Sequence, residues 1–229
     1  MLTPDEWGIV GLSLKVGGVA MIVTLPIAFA IAWLLARGRF PGKVVLDAVV
    51  HLPLVVPPVV TGWVLLLACR PNGPIGGVLQ QWFGVTLLFR WTGAALAAGV
   101  MALPLMVRAM RLSIEAVDRR LESAARTLGA GPARVFWTLT LPLSVPGLLA
   151  GAVLGFARSI GEFGATITFV SNVPGQTQTL PLAIYSAVQQ PGGDALAWRL
   201  SAISVALSLV ALVMSEVLTR RAGRGLHVL

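Results

Sequence analysis

Between Val16 and Ala36 the sequence carries no charged residue, a run long enough for an α-helix to cross the roughly 30 Å apolar core of a bilayer, which takes about 20 residues. In lipid every backbone N–H and C=O must find its partner within the protein, so such a run folds as helix. Four further stretches have the same character. The first span is predicted over about Gly8 to Ala36, ending at Arg37, Arg39 and Lys43. The second covers about Val44 to Cys69, with Asp47 near one end and Pro53, Pro57 and Pro58 along it. Prolines remove donors and crowd the preceding turn, which predicts a bend inside a bundle. A third covers about Trp91 to Val107 and continues as helix past Arg108 and Arg111, with Pro104 as a kink point. The fourth runs from about Pro142 to Thr168 and the fifth from about Trp198 to Leu218, ahead of Arg220, Arg221 and Arg224. The expected fold is an all-α membrane domain of about five spans over residues 1–229. Composition agrees: 56% hydrophobic and 11% charged residues, too much apolar surface for a soluble domain of 229 residues to bury.

The segment from Val170 to Asp194 is too polar and too interrupted by Pro174, Pro181, Pro191 and Gly192 to cross lipid. It is read as a surface stretch with a short helix around Leu182 to Val188. Basic residues concentrate on one side of the spans: Arg37, Arg39, Lys43, Arg108, Arg111, Arg119, Arg120, Arg126, Arg134, Arg220, Arg221 and Arg224, against Lys15, Arg70, Arg90 and Arg199. Since cytoplasmic flanks retain Lys and Arg, the N-terminus is expected outside and the C-terminus in the cytoplasm. The same asymmetry accounts for the net charge of +8 without nucleic acid as a partner. Asp5 and Glu6 stand where a cleavable signal would be basic, so insertion is expected to rely on the spans. Cys69 has no second cysteine to pair with, and His51 and His227 are far apart, which argues against metal chemistry. Neither a phosphate loop nor an HExxH zinc motif occurs, so an intrinsic ATPase or metalloprotease is excluded.

Asp118 to Leu141 reads as helix, glycine stop, helix. Asp118 suits an N-cap; Leu121, Ala124, Ala125 and Leu128 share one face; Glu122 stands four residues before Arg126. Gly129 and Gly131 can take positive φ, and Pro132 suits the first turn of the next helix. From the residues alone this hairpin is either a helix lying on the membrane surface or a docking element. A DNA-reading helix-turn-helix has similar spacing, but its place between two spans argues against that.

The hairpin also carries a resemblance. Permeases of ABC importers have a cytoplasmic signature E-A-A-x-x-x-G, followed after nine residues by I-x-L-P. Here Ser123, Ala124, Ala125 and Gly129 take the first part, and Leu139, Leu141 and Pro142 the second, with the glutamate one residue early at Glu122. Stretches ARGRFPGKVVLD, HLPLVVPPVVTG, RTLGAGPARVFWTLTLPLSVPG and ARSIGEFGATITFVSNVPGQTQTLP resemble the molybdate-importing branch of that family. Sulfate permeases share the FPG turn and the GEFG segment, while Pro57–Pro58 and SNVPG are closer to molybdate. The resemblance implies a type I ABC importer permease in the bacterial inner membrane, acting as a homodimer. It implies two cytoplasmic ABC ATPase subunits that use ATP and Mg and dock on residues 118–142, and a periplasmic molybdate-binding protein that delivers the anion. No cofactor is implied on this chain itself.

Within the fourth span Arg158 and Glu162 lie four residues apart. Either they neutralise each other on one helix face, or they mark a pathway or an interhelical lock. Ser159, Thr166, Thr168, Ser171 and Asn172 could line an anion route, and helix packing by small polar residues explains them equally well. His51 reads as a packed histidine, since a proton relay would need a partner that the sequence does not show. Trp7, Trp63, Trp82, Trp91 and Trp198 read as interface anchors.

Overall fold

The computed structural model describes residues 3–226, and side chains as far as Val217 apart from Ser215. His227 lies outside the described residues, and the side chains of Arg220, Arg221 and Arg224 outside the described ones. Helix α1 spans Pro4–Arg37 and opens with a capping box, Thr3 Oγ1 accepting from the Glu6 N–H while the Glu6 carboxylate accepts from the Thr3 N–H. Then come α2 (Lys43–Val55), α3 (Pro58–Cys69), α4 (Gly76–Phe83) and α5 (Trp91–Ala116). The hairpin supplies α6 (Arg119–Thr127) and α7 (Pro132–Val135), and a π-helical turn, Phe136–Thr140, runs directly into α8 (Leu141–Ile160). Helices α9 (Gly164–Val170), α10 (Leu180–Val188) and α11 (Asp194–Leu226) complete the chain. Among the described residues there is no strand.

Four helices are long and apolar enough to cross a bilayer: α1, α5, the continuous Pro132–Ile160 rod and Asp194–Met214 of α11. The pair α2 and α3 makes a fifth if counted as one span, but it bends by 114°. Val56 and Pro57 lie at that corner, where consecutive prolines leave carbonyls without helical donors. Five spans were expected and up to five are found.

Helix α5 is the hub, because its buried face is built largely of small residues and methionines. Ala94, Ala98, Ala102, Met106 and Met110 are buried against α1 on one side and α8 on the other. Gly147, Gly151 and Gly155 of α8 form an i, i+4, i+8 stripe, and a Cβ on any of them would strike Ser113, Met110 or Met106 of α5. Without a hydrophobic effect between helices in lipid, such close approach supplies the dispersion contact that holds them. By contrast Val44, Val45, Val49 and Val55 of α2 and Val205, Leu209 and Val213 of α11 face outward, as a lipid-exposed surface permits.

Two boundaries differ from the sequence reading. The fourth span is not helical from Pro142 to Thr168: α8 stops at Ile160, the backbone breaks at Gly161–Phe163, and α9 starts anew at Gly164. Apolar composition hides this break, since hydropathy carries no record of where the ladder of backbone bonds is interrupted. The short helix near Leu182 is α10, which exposes Tyr185 and Val188 but packs its other face into the protein. Leu180, Leu182, Ala183 and Ala187 are buried, and the Leu180 N–H donates to Ser13 Oγ of α1 at 2.7 Å.

Candidate functional site

Asp118 caps α6 as its sequence suggests, its carboxylate accepting from the Arg120 N–H at 2.8 Å. At the other end Gly129 has φ +87°. The Ala130 N–H reaches the Ala125 carbonyl and the Gly129 N–H the Arg126 carbonyl, both at 3.0 Å, the paired bonds of a Schellman stop. Pro132 begins α7, whose first turn is closed by Val135 N–H to Gly131 C=O at 3.0 Å.

Orientation of α6 is the informative feature. Its apolar face points away from the protein: Leu121 is 50% and Leu128 89% exposed, Ala124 is exposed and Ala125 half-buried. On the opposite face Glu122 turns inward over a cleft shared with α1, α7 and the π-turn, and the exposed side chains of Arg119, Ser123 and Arg126 line its rim. Glu122 is therefore not offered outward. Its Oε1 accepts from Arg37 Nη2 and from Thr140 Oγ1, each at 2.8 Å, with both ionised side chains largely buried. Arg37 Nη2 also donates to the Ile114 carbonyl at 3.1 Å. One carboxylate thus ties the hairpin to the foot of α1, the end of α5 and the start of α8. Leu139, Leu141 and Pro142 are half-buried beside Thr140 where the π-turn passes into α8, and Ser123 Oγ is occupied by the Arg119 carbonyl at 3.0 Å.

At the opposite end of α8 the structure does bring Arg158 and Glu162 together, Nη1 to Oε2 at 2.6 Å. They are not on one helix face, because Glu162 sits in the break. Its Oε1 accepts the Ala165 N–H at 2.9 Å and so starts α9. Glu162 is only 2% exposed, whereas Arg158 is 28% exposed. Helix α9 then packs on α3 backbone to backbone: a Cβ on Gly62 would meet the Ala165 carbonyl, and one on Gly164 would meet Pro58. The break in the fourth span and the corner in the second are therefore in contact.

The hydroxyls follow the packing reading. Ser159 Oγ donates to Gly155 C=O at 2.8 Å and Thr168 Oγ1 to Gly164 C=O at 2.9 Å, and Thr166 is buried in α9. Ser171, at φ +63°, and Asn172 shape the turn after α9: the Ser171 carbonyl accepts from Thr177 Oγ1 at 3.0 Å and Asn172 Nδ2 donates to Ser186 Oγ at 2.6 Å.

Sequence reasoning missed four arginine–carboxylate pairs. Besides Arg37–Glu122, Arg199 forks onto Glu6 Oε1 through Nε at 2.9 Å and Nη2 at 2.8 Å, pinning α11 to the start of α1. Arg111 bridges Asp47 at 3.0 Å and Glu115 at 2.8 Å, and Asp47 is also the partner of His51, whose Nδ1 lies 2.8 Å from the Asp47 carbonyl. A charge at the end of an apolar run, facing an opposite charge at the same predicted depth in another run, is the signal that could have found them. Among the described residues no group of three or more His, Cys, Asp or Glu side chains could hold a metal.

Residues 24–224 match a family described as the inner membrane component of binding-protein-dependent transport systems. The molybdenum transport system permease protein ModB of Escherichia coli K12 is 58% identical over 228 residues, covering 98% of this chain and 100% of that protein. Its counterpart in Haemophilus influenzae is 56% identical over 216 residues, 94% of each chain. Among solved structures, a bacterial ABC transporter that imports the acidic polysaccharide alginate aligns with TM-score 0.76 at 17% identity, over 96% of this chain and 80% of that one.

Proposed function

The chain belongs to the family of binding-protein-dependent transport system inner membrane components, and from that premise we propose that it imports molybdate as one of two identical permease subunits. It is a multi-pass inner membrane protein with the type I ABC importer permease fold, and ATP hydrolysis belongs to a separate subunit. In this reading two cytoplasmic ATPase subunits bind ATP and Mg, and a periplasmic molybdate-binding protein captures the anion. The N-terminus lies in the periplasm and the C-terminus in the cytoplasm, as the distribution of arginines favours. Close relationship over nearly the whole chain to molybdenum permeases supports molybdate over sulfate.

The observation that carries the ATPase-docking reading is the outward apolar face of α6. A helix at a water boundary that exposes Leu121 and Leu128 while turning Glu122 inward lacks the partner that would cover it. Residues 118–142, with Ser123, Ala124, Ala125, Gly129, Leu139, Leu141 and Pro142, form the socket and its link to α8, and Glu122 acts from behind as the strut. Arg158 is the element of the pathway with a fork of donors suited to a tetrahedral dianion. Its contact has to be brief for release, so affinity resides in the binding protein.

The test is reconstitution in liposomes with the ATPase and the binding protein, with uptake of labelled molybdate against sulfate, tungstate and phosphate. ATP-dependent uptake displaced by molybdate ahead of sulfate is the expected result. Uptake driven by an ion gradient without the ATPase overturns the importer reading, and sulfate displacing molybdate at equal concentration overturns the substrate.

A further inference from the structure

The cleft beneath α6 has a volume of about 350 Å³ and a charge imbalance that nothing among the described residues resolves. Three guanidinium groups, Arg37, Arg119 and Arg126, line it against one carboxylate, Glu122. Both bonds to Glu122 Oε1 are already taken up by Arg37 and Thr140. Arg119 reaches only the Ala36 carbonyl, at 3.5 Å. The side chain of Arg126, exposed at the rim, has no partner among the described residues, and the Nε of Arg37 is shut off from solvent with no acceptor. Like charges gathered around a shielded, unsatisfied donor are costly unless an anion sits among them.

The level of the cleft in the membrane says which anion. Trp33 lines it and packs edge-on against Phe136 at 4.8 Å, and Phe136 meets Trp137 at 5.2 Å. Trp137 is 65% exposed. Tryptophans cluster where headgroups begin, and basic pockets between helices on the cytoplasmic side take anionic headgroups. We propose that this cleft binds the phosphate of an anionic phospholipid, held by Arg119 and Arg126 with Arg37 behind them, and that the bound lipid seats α6 on the foot of α1. The site lies on the face of α6 opposite Leu121 and Leu128, so it does not depend on what covers the leucines or on what is transported.

The full-length chain in detergent is mixed with phosphatidylglycerol, with phosphatidylcholine or with inorganic phosphate, and retained lipid and the thermal midpoint are measured. Phosphatidylglycerol is expected to be retained and to raise the midpoint, and phosphatidylcholine to do neither. With two basic contacts removed in Arg119→Gln/Arg126→Gln, affinity for phosphatidylglycerol falls roughly 30-fold. Arg134→Gln, an exposed arginine outside the cleft, leaves it unchanged. Equal retention of the two lipids, or the same loss in Arg134→Gln as in the double variant, overturns the proposal. Inorganic phosphate raising the midpoint as much as phosphatidylglycerol overturns the lipid as the source of the anion.

Discussion

Glu122, in the first turn of α6, and Glu162, in the break between α8 and α9, both meet an arginine and both are largely buried, yet one joins distant parts of the chain and the other closes a local gap. Glu122 gathers Arg37 and Thr140, from elements far apart in sequence. Glu162 serves its own neighbourhood, Arg158 behind it and the Ala165 N–H ahead. A long-range carboxylate transmits force between elements, because removing it uncouples them. A short-range one sets a local conformation, because its two partners stay near each other whether or not it is present. In the proposed reading the first belongs where the ATPase docks and the second beside the proposed pathway.

Substitutions test that contrast, beginning with the largest expected effect. Glu122→Ala strands Arg37 in a largely buried position and should cost about 3 kcal/mol of stability, read as a drop in thermal midpoint, with uptake abolished. Glu162→Ala removes one cap bond and one ion pair and should cost about 1–2 kcal/mol; uptake should fall while ATPase binding persists. An equal loss of ATPase binding in the two variants would erase the distinction. Gly129→Ala places a side chain at φ +87° for about 1 kcal/mol, while Gly129→Trp should also stop the loaded binding protein from stimulating ATP hydrolysis, without preventing membrane insertion. The smallest effect on folding belongs to Leu128→Ser, within about 0.5 kcal/mol at an exposed site. Its whole effect should appear as weaker co-purification of the ATPase.

The same contrast explains what could be read from the residues. The hairpin was legible down to its stop at Gly129 because capping and turn chemistry are local, and the spans were legible because hydropathy is. Helix α9 was folded into a single fourth span because GEFGATITFV is apolar enough on average to extend it, and only the capture of the Ala165 N–H by Glu162 reveals a new start. Helix α10 was placed at the surface because its burial comes from α1 and α11, which no local pattern records. For the same reason the pairing of Arg37 with Glu122 escaped notice. The amphipathic pattern of α6 was seen, but which face looks inward is decided by Arg37 and Thr140, and the answer inverts the habit of soluble helices.

The π-turn at Phe136–Thr140 leaves Pro132–Ile160 one uninterrupted rod, roughly 40 Å from end to end at 1.5 Å per residue. Its foot carries the socket and its tip carries Arg158. A rod of that length works as a lever: tilting the foot by about 5° swings the tip by about 4 Å, beyond the reach of any single hydrogen bond. A small tilt at the α6 end is therefore enough to displace Arg158 and Glu162 together, where the chain turns into α9.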